Sequence, residues 1–363
     1  MLRFLKVSWR NFDWILFFSA FILSLVGLST IYSVDLSRGD VLNFTSRQVI
    51  ALVLAILVFF ISSFLHVSFY ESAARPVYFL AIVLLIAVLF LGATIRGTTG
   101  WFRFFGFSFQ PAEFAKVALV ILLAWRIERQ ARRFDKWQFV LVMFTLTLVL
   151  VGFILLQPDL GSASILLSVC FGLLVLVGTK KKYIFGIIGL ATLAVVIGWF
   201  FVFQDYQKDR IMTFIDPTLD PLGSGYNVTQ SIIAVGSGQF LGRGLGFGSQ
   251  SQLHFLPEAQ TDFIVSVIGE ELGFVGFFIV LALYFILLWR LVNMAYNARN
   301  DFASFLPLGV SLVFFSHIVV NIGAAVGLLP VTGVTLPFLS YGGSSLIINF
   351  LLLGIAESAA RSS

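Results

Sequence analysis

The sequence predicts an all-α integral membrane protein with about ten transmembrane helices and one large extracytoplasmic loop between the seventh and eighth helices. The 363-residue chain is 59% hydrophobic and only 11% charged, and its mean hydropathy is +1.00. Its apolar residues also form stretches close to the roughly 20 residues that cross a bilayer as a helix. Helices are expected because they satisfy their own backbone hydrogen bonds in lipid. We expect residues 1–363 to form a single transmembrane domain.

Each predicted span is an apolar run bounded by charged or turn-forming residues. In chain order the spans are Trp14–Tyr32, Val49–Leu65, Val77–Gly92, Pro111–Trp125, Phe139–Leu156, Ser162–Val177, Ile184–Phe203, Phe263–Trp289, Phe305–Leu328 and Leu339–Ile355. The long interval after the seventh span, about residues 204–262, is the predicted extracytoplasmic loop. The single cysteine, Cys170, lies within a span, so neither a disulfide framework nor a thiolate metal site is expected.

The basic residues predict the orientation. Of the 23 Lys and Arg residues, 15 lie on the side of the predicted membrane that holds both termini, 7 lie on the opposite side, and Lys116 lies within the fourth span. The positive-inside rule therefore places both termini in the cytoplasm. Membrane anchoring accounts for the net charge of +5 without a nucleic-acid partner.

The long loop is rich in glycine between Gly236 and Gly248, but no G-x-G-x-x-G register fits it. No lysine follows a glycine anywhere in the chain, so a phosphate-binding Walker A loop is excluded as well. We therefore expect no nucleotide cofactor. A substrate would have to arrive through the membrane or from outside it.

Asp262 stands where the long loop enters the eighth span. Aspartate is favoured as a helix N-cap, which is one interpretation of this residue. The other is a general base at the outer membrane face, reachable from outside and partly shielded from water. Glu270 and Glu271 follow deeper in the span and should face the bundle interior, because carboxylates are costly in lipid.

Two further polar groups sit at span ends. Glu113 and Lys116 are three residues apart and are able to pair on one helix face; alternatively Lys116 contacts an anionic lipid head group. Asp159 lies in a Pro-Asp-Leu-Gly sequence, which is ordinary turn chemistry or a cation or substrate site.

Two prolines and paired glycines between Pro330 and Ser345 indicate irregular backbone at membrane depth, which is tolerated only where it lines protein or a cavity. His317 and Asn321 share a helix face just before this stretch. A lone buried histidine is more often hydrogen-bonded core than a ligand.

Six groups of residues occur in the order found in one known family. They are Gln110-Pro111-Ala112-Glu113 with Lys116; Gln157-Pro158-Asp159-Leu160-Gly161; Gly223-Ser224-Gly225-Tyr226-Asn227 with Gln230-Ser231; Gly236-Ser237-Gly238 with Gly248-Ser249-Gln250; Leu256-Pro257-Glu258-Ala259-Gln260-Thr261-Asp262-Phe263-Ile264 with Glu270-Glu271-Leu272-Gly273; and Pro330 to Ser345. Over essentially the whole chain they resemble the SEDS family, the cell-wall polymerases of the RodA, FtsW and SpoVE type. Length and the N-terminal region favour the RodA type. The chain departs from the family pattern at Gly100, Thr335 and His317, where arginine, proline and glutamine are common.

The resemblance implies a peptidoglycan glycosyltransferase of the bacterial cytoplasmic membrane that polymerises lipid II into glycan strands at the outer face. It implies Asp262 as the catalytic base and a divalent ion, Mg or Mn, near Asp159. The implied substrate-binding residues are Lys116, Glu113, Arg210, Arg243, Glu258, Trp101 and Ser344. The implied partners are lipid II, the nascent glycan strand, a class B penicillin-binding protein and other elongasome or divisome membrane proteins.

Two other functions remain open from the sequence. A flippase or transporter for the same lipid would place ionisable groups near the membrane midplane, often within inverted repeats. A non-catalytic scaffold for a cell-wall transpeptidase would not need the Asp262 carboxylate.

Overall fold

The computed structural model describes residues 12–37, 43–95, 98–104, 107–130, 134, 136–201, 208, 212–216 and 223–362. Its helices are α1 Trp14–Ser37, α2 Asn43–Phe64, α3 Val67–Leu91, α4 Pro111–Glu128, α5 Trp137–Leu155, α6 Leu160–Leu176, α7 Lys181–Phe201, α8 Ser224–Ser237, α9 Ser249–Gln252, α10 Ile264–Tyr296, α11 Asp301–Ala325 and α12 Gly343–Ser362.

Each predicted span overlaps one helix, namely α1 to α7 and α10 to α12. The bounds differ most at α3, which begins at Val67 and not at the predicted Val77, and at α12, which runs from Gly343 to Ser362 and not from Leu339 to Ile355. Eight of these helices are long and apolar enough to cross a membrane; α6 is apolar but shorter, at 17 residues. α4 has 18 residues and carries Glu113, Lys116, Arg126 and Glu128. The all-α polytopic fold class is confirmed, and about ten crossings remains the prediction for the count.

A small sheet precedes α4, in a region that the sequence analysis treated as loop. Its antiparallel strands are β1 Ala93–Ile95, β2 Thr98–Phe104 and β3 Phe107–Phe109, in that order. Threonine and aromatic residues dominate β2 and β3, and both types favour strands. β3 ends immediately before Gln110, the N-cap of α4, and Pro111 occupies the first turn of that helix.

Close helix packing depends on small residues. A Cβ at Gly354 of α12 would lie 2.6 Å from the Phe59 carbonyl oxygen of α2, and one at Gly309 of α11 would lie 2.7 Å from Val120 Cγ1 of α4. Small residues at such points let membrane helices approach without large side chains between them. α4 and α12 are buried along most of their length and form the centre of the bundle.

Polar contacts tie several chain segments together at one end of the bundle. Arg290, near the end of α10, donates from Nε to Asp13 Oδ2 at 2.6 Å. The Asp13 backbone N–H donates to Glu357 Oε1 at 3.0 Å, and Arg361 donates to the Ser63 carbonyl at 2.9 Å. The start of α1, the α2–α3 turn and the end of α12 therefore share one end. Asp262 lies just before the start of α10, at the opposite end of the bundle. At 1.5 Å per residue, α10 is about 50 Å long.

α10 is kinked at Gly273, whose φ is +67°. The loop before α9 fits into this kink: Phe274 N–H donates to the Gln239 carbonyl at 2.9 Å, and Gly244 N–H donates to the Glu271 carbonyl at 2.9 Å. A Cβ on Gly273 would lie 2.2 Å from Gly242 N, so glycine is required by both conformation and space.

Candidate active site

The irregular chain between α11 and α12, residues 326–342 and called here the α11–α12 segment, contacts residues next to Asp262 and Asp159 and the histidine that meets Lys116. It passes through the bundle with left-handed backbone at Gly333 and Phe338. Tyr284 of α10 anchors it by donating to the Pro337 carbonyl. The prediction of irregular backbone lining protein is confirmed here.

Asp262 is half-buried and lies in a turn that the α11–α12 segment holds in place. Asn321 Nδ2 donates both to the Asp262 carbonyl at 3.0 Å and to the Val334 carbonyl at 2.8 Å. Ser340 Oγ donates to the Thr261 carbonyl at 2.7 Å, and Tyr341 N–H donates to the Gln260 carbonyl at 2.8 Å. Three consecutive carbonyls are thus fixed, which positions the Asp262 backbone.

The N-cap interpretation of Asp262 does not match the start of α10. The N-cap residue is Phe263, which makes no side-chain cap hydrogen bond. Asp262 therefore lies one residue before the cap position. Glu258 belongs to the same turn: its Oε2 accepts from Thr261 Oγ1 at 3.0 Å.

Lys116 is buried in α4, with 1% of its side chain exposed. Its Nζ lies 2.8 Å from Glu113 Oε1 and 2.9 Å from His317 Nε2. His317 Nδ1 lies 2.9 Å from the Thr335 carbonyl. Since a carbonyl oxygen only accepts, Nδ1 carries the proton, and Nε2 accepts from the ammonium. The result is a buried Lys–Glu pair with a neutral histidine.

Asp159 forms a second polar group at the start of α6. Its carboxylate accepts from Ser162 N–H at 2.8 Å, from Ser162 Oγ at 2.7 Å and from Gln110 Nε2 at 3.1 Å. Gln110 N–H in turn donates to Ser344 Oγ of α12 at 3.2 Å. Asp159 is therefore the N-cap of α6 and is linked through Gln110 to Ser344.

The Gln157 to Gly161 turn also packs against neighbours of the site. A Cβ on Gly161 would lie 2.7 Å from the Thr332 carbonyl oxygen, so only glycine allows this approach. Gln157 is buried, and its side-chain amide has no hydrogen-bond partner among the described residues. Gly100 of β2 lies against that amide. Trp101, next in β2 and half-buried, is thereby carried close to this turn.

Arg243 lies in a different group, at the kink of α10. Its guanidinium donates to Ser249 Oγ at 2.9 Å and to the Ser237 carbonyl at 3.3 Å. Glu270 accepts from the N–H groups of Gln250 and Ser251 at 2.8 and 3.1 Å, so it holds the start of α9.

The neighbouring carboxylate, Glu271, accepts from Ser33 Oγ at 2.5 Å and from Gly246 N–H at 3.2 Å. Both glutamates are buried, as expected for carboxylates at this depth. They fix the loop that carries Arg243.

The α11–α12 segment thus connects Asp262 and Glu258, the Lys116–Glu113 pair, and the region of Asp159 and Ser344. Trp101 adjoins this network through its neighbour Gly100. Arg243 makes its contacts at the α10 kink. Arg210 lies outside the described residues.

The residues around Asp159 do not resemble a metal centre. No group of three or more His, Cys, Asp or Glu side chains able to hold a metal occurs in the part of the chain that the structure describes. Gln110 also points an N–H donor at the Asp159 carboxylate, where a cation would need a lone pair. We therefore derive no step through a metal.

Two side chains that organise the site, His317 and Asn321, were not predicted to belong to it. His317 is the partner of Lys116, and Asn321, one turn further along α11, is the clamp on Asp262. The available signal was their shared helix face directly before a proline-rich stretch. That spacing does not reveal which residues they meet.

Comparison with known proteins identifies the family. The profile of the FtsW/RodA/SpoVE family, described as a cell cycle protein, matches residues 11–363. The chain belongs to the FtsW/RodA/SpoVE family. The SEDS resemblance in the sequence motifs is thereby confirmed.

Relatives in the FtsW/RodA/SpoVE family carry similar names. A probable peptidoglycan glycosyltransferase FtsW from Trichlorobacter lovleyi is 36% identical, over 98% of this chain and 95% of that protein. The peptidoglycan glycosyltransferase MrdB of Escherichia coli K12 is 37% identical, over 89% of this chain and 87% of that protein. Because the two identities are nearly equal, they do not decide whether the chain is more similar to FtsW or to MrdB.

Solved structures of the FtsW/RodA/SpoVE family share the fold. A chain from a study of how a peptidoglycan synthase complex coordinates polymerization and crosslinking superposes with a TM-score of 0.83 at 33% identity, covering 97% of this chain and 98% of that one. The rod shape determining protein RodA of Thermus thermophilus gives a TM-score of 0.74 at 30% identity, with the same coverage.

Proposed function

We infer that this protein is a peptidoglycan glycosyltransferase and propose that Asp262 is its general base. Membership of a family whose relatives are named peptidoglycan glycosyltransferases supports the activity. The observation that carries the assignment of Asp262 is the half-buried carboxylate on a turn clamped by Asn321 and Ser340. A base needs such fixed geometry together with access to substrate.

The proposed reaction is glycosyl transfer from a polyprenyl-pyrophosphate donor. The 4-hydroxyl of the terminal GlcNAc of lipid II attacks the anomeric carbon of the reducing-end MurNAc of the growing strand. Asp262 takes the hydroxyl proton as the new carbon–oxygen bond forms, and the polyprenyl pyrophosphate leaves with the electrons of the broken bond. The lipid-linked donor supplies the driving force, in accord with a chain that has no sequence motif for nucleotide binding.

The leaving pyrophosphate requires positive charge nearby. We propose Lys116 for this role, supported by its link through His317 and the α11–α12 segment to the Asp262 turn. Its ammonium is almost fully buried, so direct contact with a diphosphate requires the side chains around it to move. Trp101, Glu113, Glu258 and Ser344 are proposed to shape the head-group site, with Arg210 and Arg243 as further cations from the long loop.

Purified protein incubated with lipid II tests this function. Wild type is expected to produce glycan strands, and Asp262→Asn is expected to lose polymerisation because the amide cannot accept the proton. Asp301→Asn is the matched control, since Asp301 begins α11 at the opposite end of the bundle. An Asp262→Asn variant that polymerises at the wild-type rate would exclude Asp262 as the base. Lipid transfer between leaflets without strand formation would favour the transporter.

A class B penicillin-binding protein is the proposed partner. The support is the structural neighbour from a peptidoglycan synthase complex that couples polymerization to crosslinking. Asp262→Asn should still co-purify with the transpeptidase, because the substitution leaves the outer surfaces of the helices unchanged. Loss of both polymerisation and complex formation would indicate misfolding instead.

The proposed location is the bacterial cytoplasmic membrane, with both termini cytoplasmic and the 204–262 loop outside. The 15-to-7 distribution of basic residues supports this orientation. It brings Asp262 to the outer face, where a lipid-linked donor displays its sugars.

A further inference from the structure

A cavity of about 270 Å³ lies between α3 and α4, at the end of the bundle opposite Asp262. Ser68, Glu71, Ser72 and Arg75 of α3 line it, with Trp125 and Arg129 at the end of α4. None of these residues takes part in the Asp262 site. At about 30 Å³ per water molecule, the cavity is large enough for a compact polar group.

The cavity presents cations on an aromatic wall. The guanidinium carbons of Arg75 and Arg129 lie 4.5 and 4.8 Å from the centre of the Trp125 ring. Within the described part of the chain, neither guanidinium forms an ion pair. Stacking on the ring holds each guanidinium in place while its N–H donors, which lie in the plane of the group, point past the ring. Two such donors suit a phosphate.

The same cavity presents acceptors beside these donors. Glu71 is half-buried in its wall. Pro76 within α3 has no N–H, so the helical hydrogen bond to the Ser72 carbonyl cannot form. A carboxylate and a carbonyl that lacks its usual helical N–H donor suit an ammonium group, and the carboxylate disfavours a simple anion. The ligand should therefore carry both charges.

α3, which forms one wall of the cavity, also carries exposed apolar side chains. Phe69 and Phe79 of α3 are 42% and 66% exposed, as expected for side chains in contact with lipid. Tryptophan at a helix end is typical of the membrane interface. With the proposed topology, this end lies at the inner leaflet, where basic pockets between helices bind lipid head groups.

We propose that this cavity binds the head group of a membrane phospholipid that carries a phosphate and a primary ammonium, as in phosphatidylethanolamine. Arg75 and Arg129 contact the phosphate, and Glu71 with the Ser72 carbonyl contacts the ammonium. The acyl chains run along the exposed face of α3.

Native mass spectrometry of the full-length, delipidated protein tests this site. Equal amounts of phosphatidylethanolamine, phosphatidylglycerol and phosphatidylcholine with the same acyl chains are added, and bound lipid is counted. Phosphatidylethanolamine is expected to exceed the other two by about tenfold, the effect of one charge-assisted hydrogen bond. Equal retention of the three lipids would overturn the proposal.

Matched variants separate the two halves of the site. Arg75→Gln and Arg129→Gln should each lose bound phosphatidylethanolamine, whereas Arg299→Gln, an exposed arginine outside the cavity, should retain it. Glu71→Gln should keep lipid binding but lose the preference over phosphatidylglycerol. Equal losses in Arg75→Gln and Arg299→Gln, or an unchanged preference in Glu71→Gln, would contradict the assignment.

A soluble competitor distinguishes a lipid from a free anion. Inorganic phosphate at millimolar concentration should leave the bound phospholipid in place, because it lacks both the ammonium and the acyl chains. Displacement by inorganic phosphate would instead identify a site for a free anion and overturn the proposal. Since this binding is measured without lipid II, its result is independent of the glycosyltransferase assay.

Discussion

His317 Nε2 accepts a hydrogen bond from Lys116 Nζ at 2.9 Å, which joins α11 to α4 in the middle of the bundle. Because Nδ1 donates to the Thr335 carbonyl, the tautomer of His317 is fixed by the α11–α12 segment. Asn321, one helical turn away, fixes Val334 and the Asp262 turn. Through these two side chains, α11 links both the Asp262 turn and Lys116 to neighbouring carbonyls of the α11–α12 segment, those of Val334 and Thr335.

His317→Gln should preserve both contacts, because a glutamine amide donates through its NH₂ and accepts through its oxygen. His317→Leu should lower the stability by about 1–3 kcal/mol, since it leaves the Thr335 carbonyl and one Lys116 donor unsatisfied. Thermal unfolding of the purified proteins measures the difference. A His317→Leu variant as stable as His317→Gln would show that these hydrogen bonds contribute little.

The Lys116–Glu113 pair is tested by removing both charges together. A buried pair that is only structural is often replaceable by apolar residues, so Lys116→Met with Glu113→Leu would then stay stable and active. With Lys116 as the pyrophosphate cation, we expect the double variant to fold but to bind lipid II weakly and polymerise poorly. Binding and turnover of lipid II by the purified double variant distinguish the structural role from the pyrophosphate-binding role. Normal values of both would show that Lys116 does not bind the pyrophosphate.

Gly273→Ala should destabilise the protein, because φ is +67° there and the added Cβ meets the backbone of Gly242. With ψ at −166°, this backbone conformation is essentially restricted to glycine, and another residue there costs about 1–3 kcal/mol. Gly186→Ala in α7 is the control, since a Cβ there has open space. Comparison of the two unfolding temperatures tests whether the α10 kink is required; equal temperatures would contradict this.

The proposed orientation is tested by cysteine labelling in a Cys170→Ala background. Leu253→Cys, exposed after α9, should react with a membrane-impermeant maleimide in intact cells. Tyr296→Cys, exposed at the other end of α10, should react only after the membrane is opened. The reverse pattern would place the 204–262 loop inside the cell.

The site was predictable from the sequence to different degrees. Asp262, Glu113, Lys116 and Asp159 stand out because ionisable residues are rare and costly in apolar spans. The small sheet was missed because its strands are short and lie between two long apolar runs. The placement of Arg243 at the α10 kink rather than beside Asp262 follows from its contact with Ser249, which sequence spacing does not encode.

Composition and the length of the apolar runs determined the membrane class and the helix positions. In a bilayer each span must form its own backbone hydrogen bonds and must be long enough to cross the hydrocarbon core. The order of motifs determined the family. Tertiary structure alone decided which polar groups meet, such as Lys116 with His317 and Gln110 with Ser344. Lipid tails and protein interior are equally apolar, so the hydrophobic pattern does not say which helix faces pair. Only the packed bundle specifies those contacts.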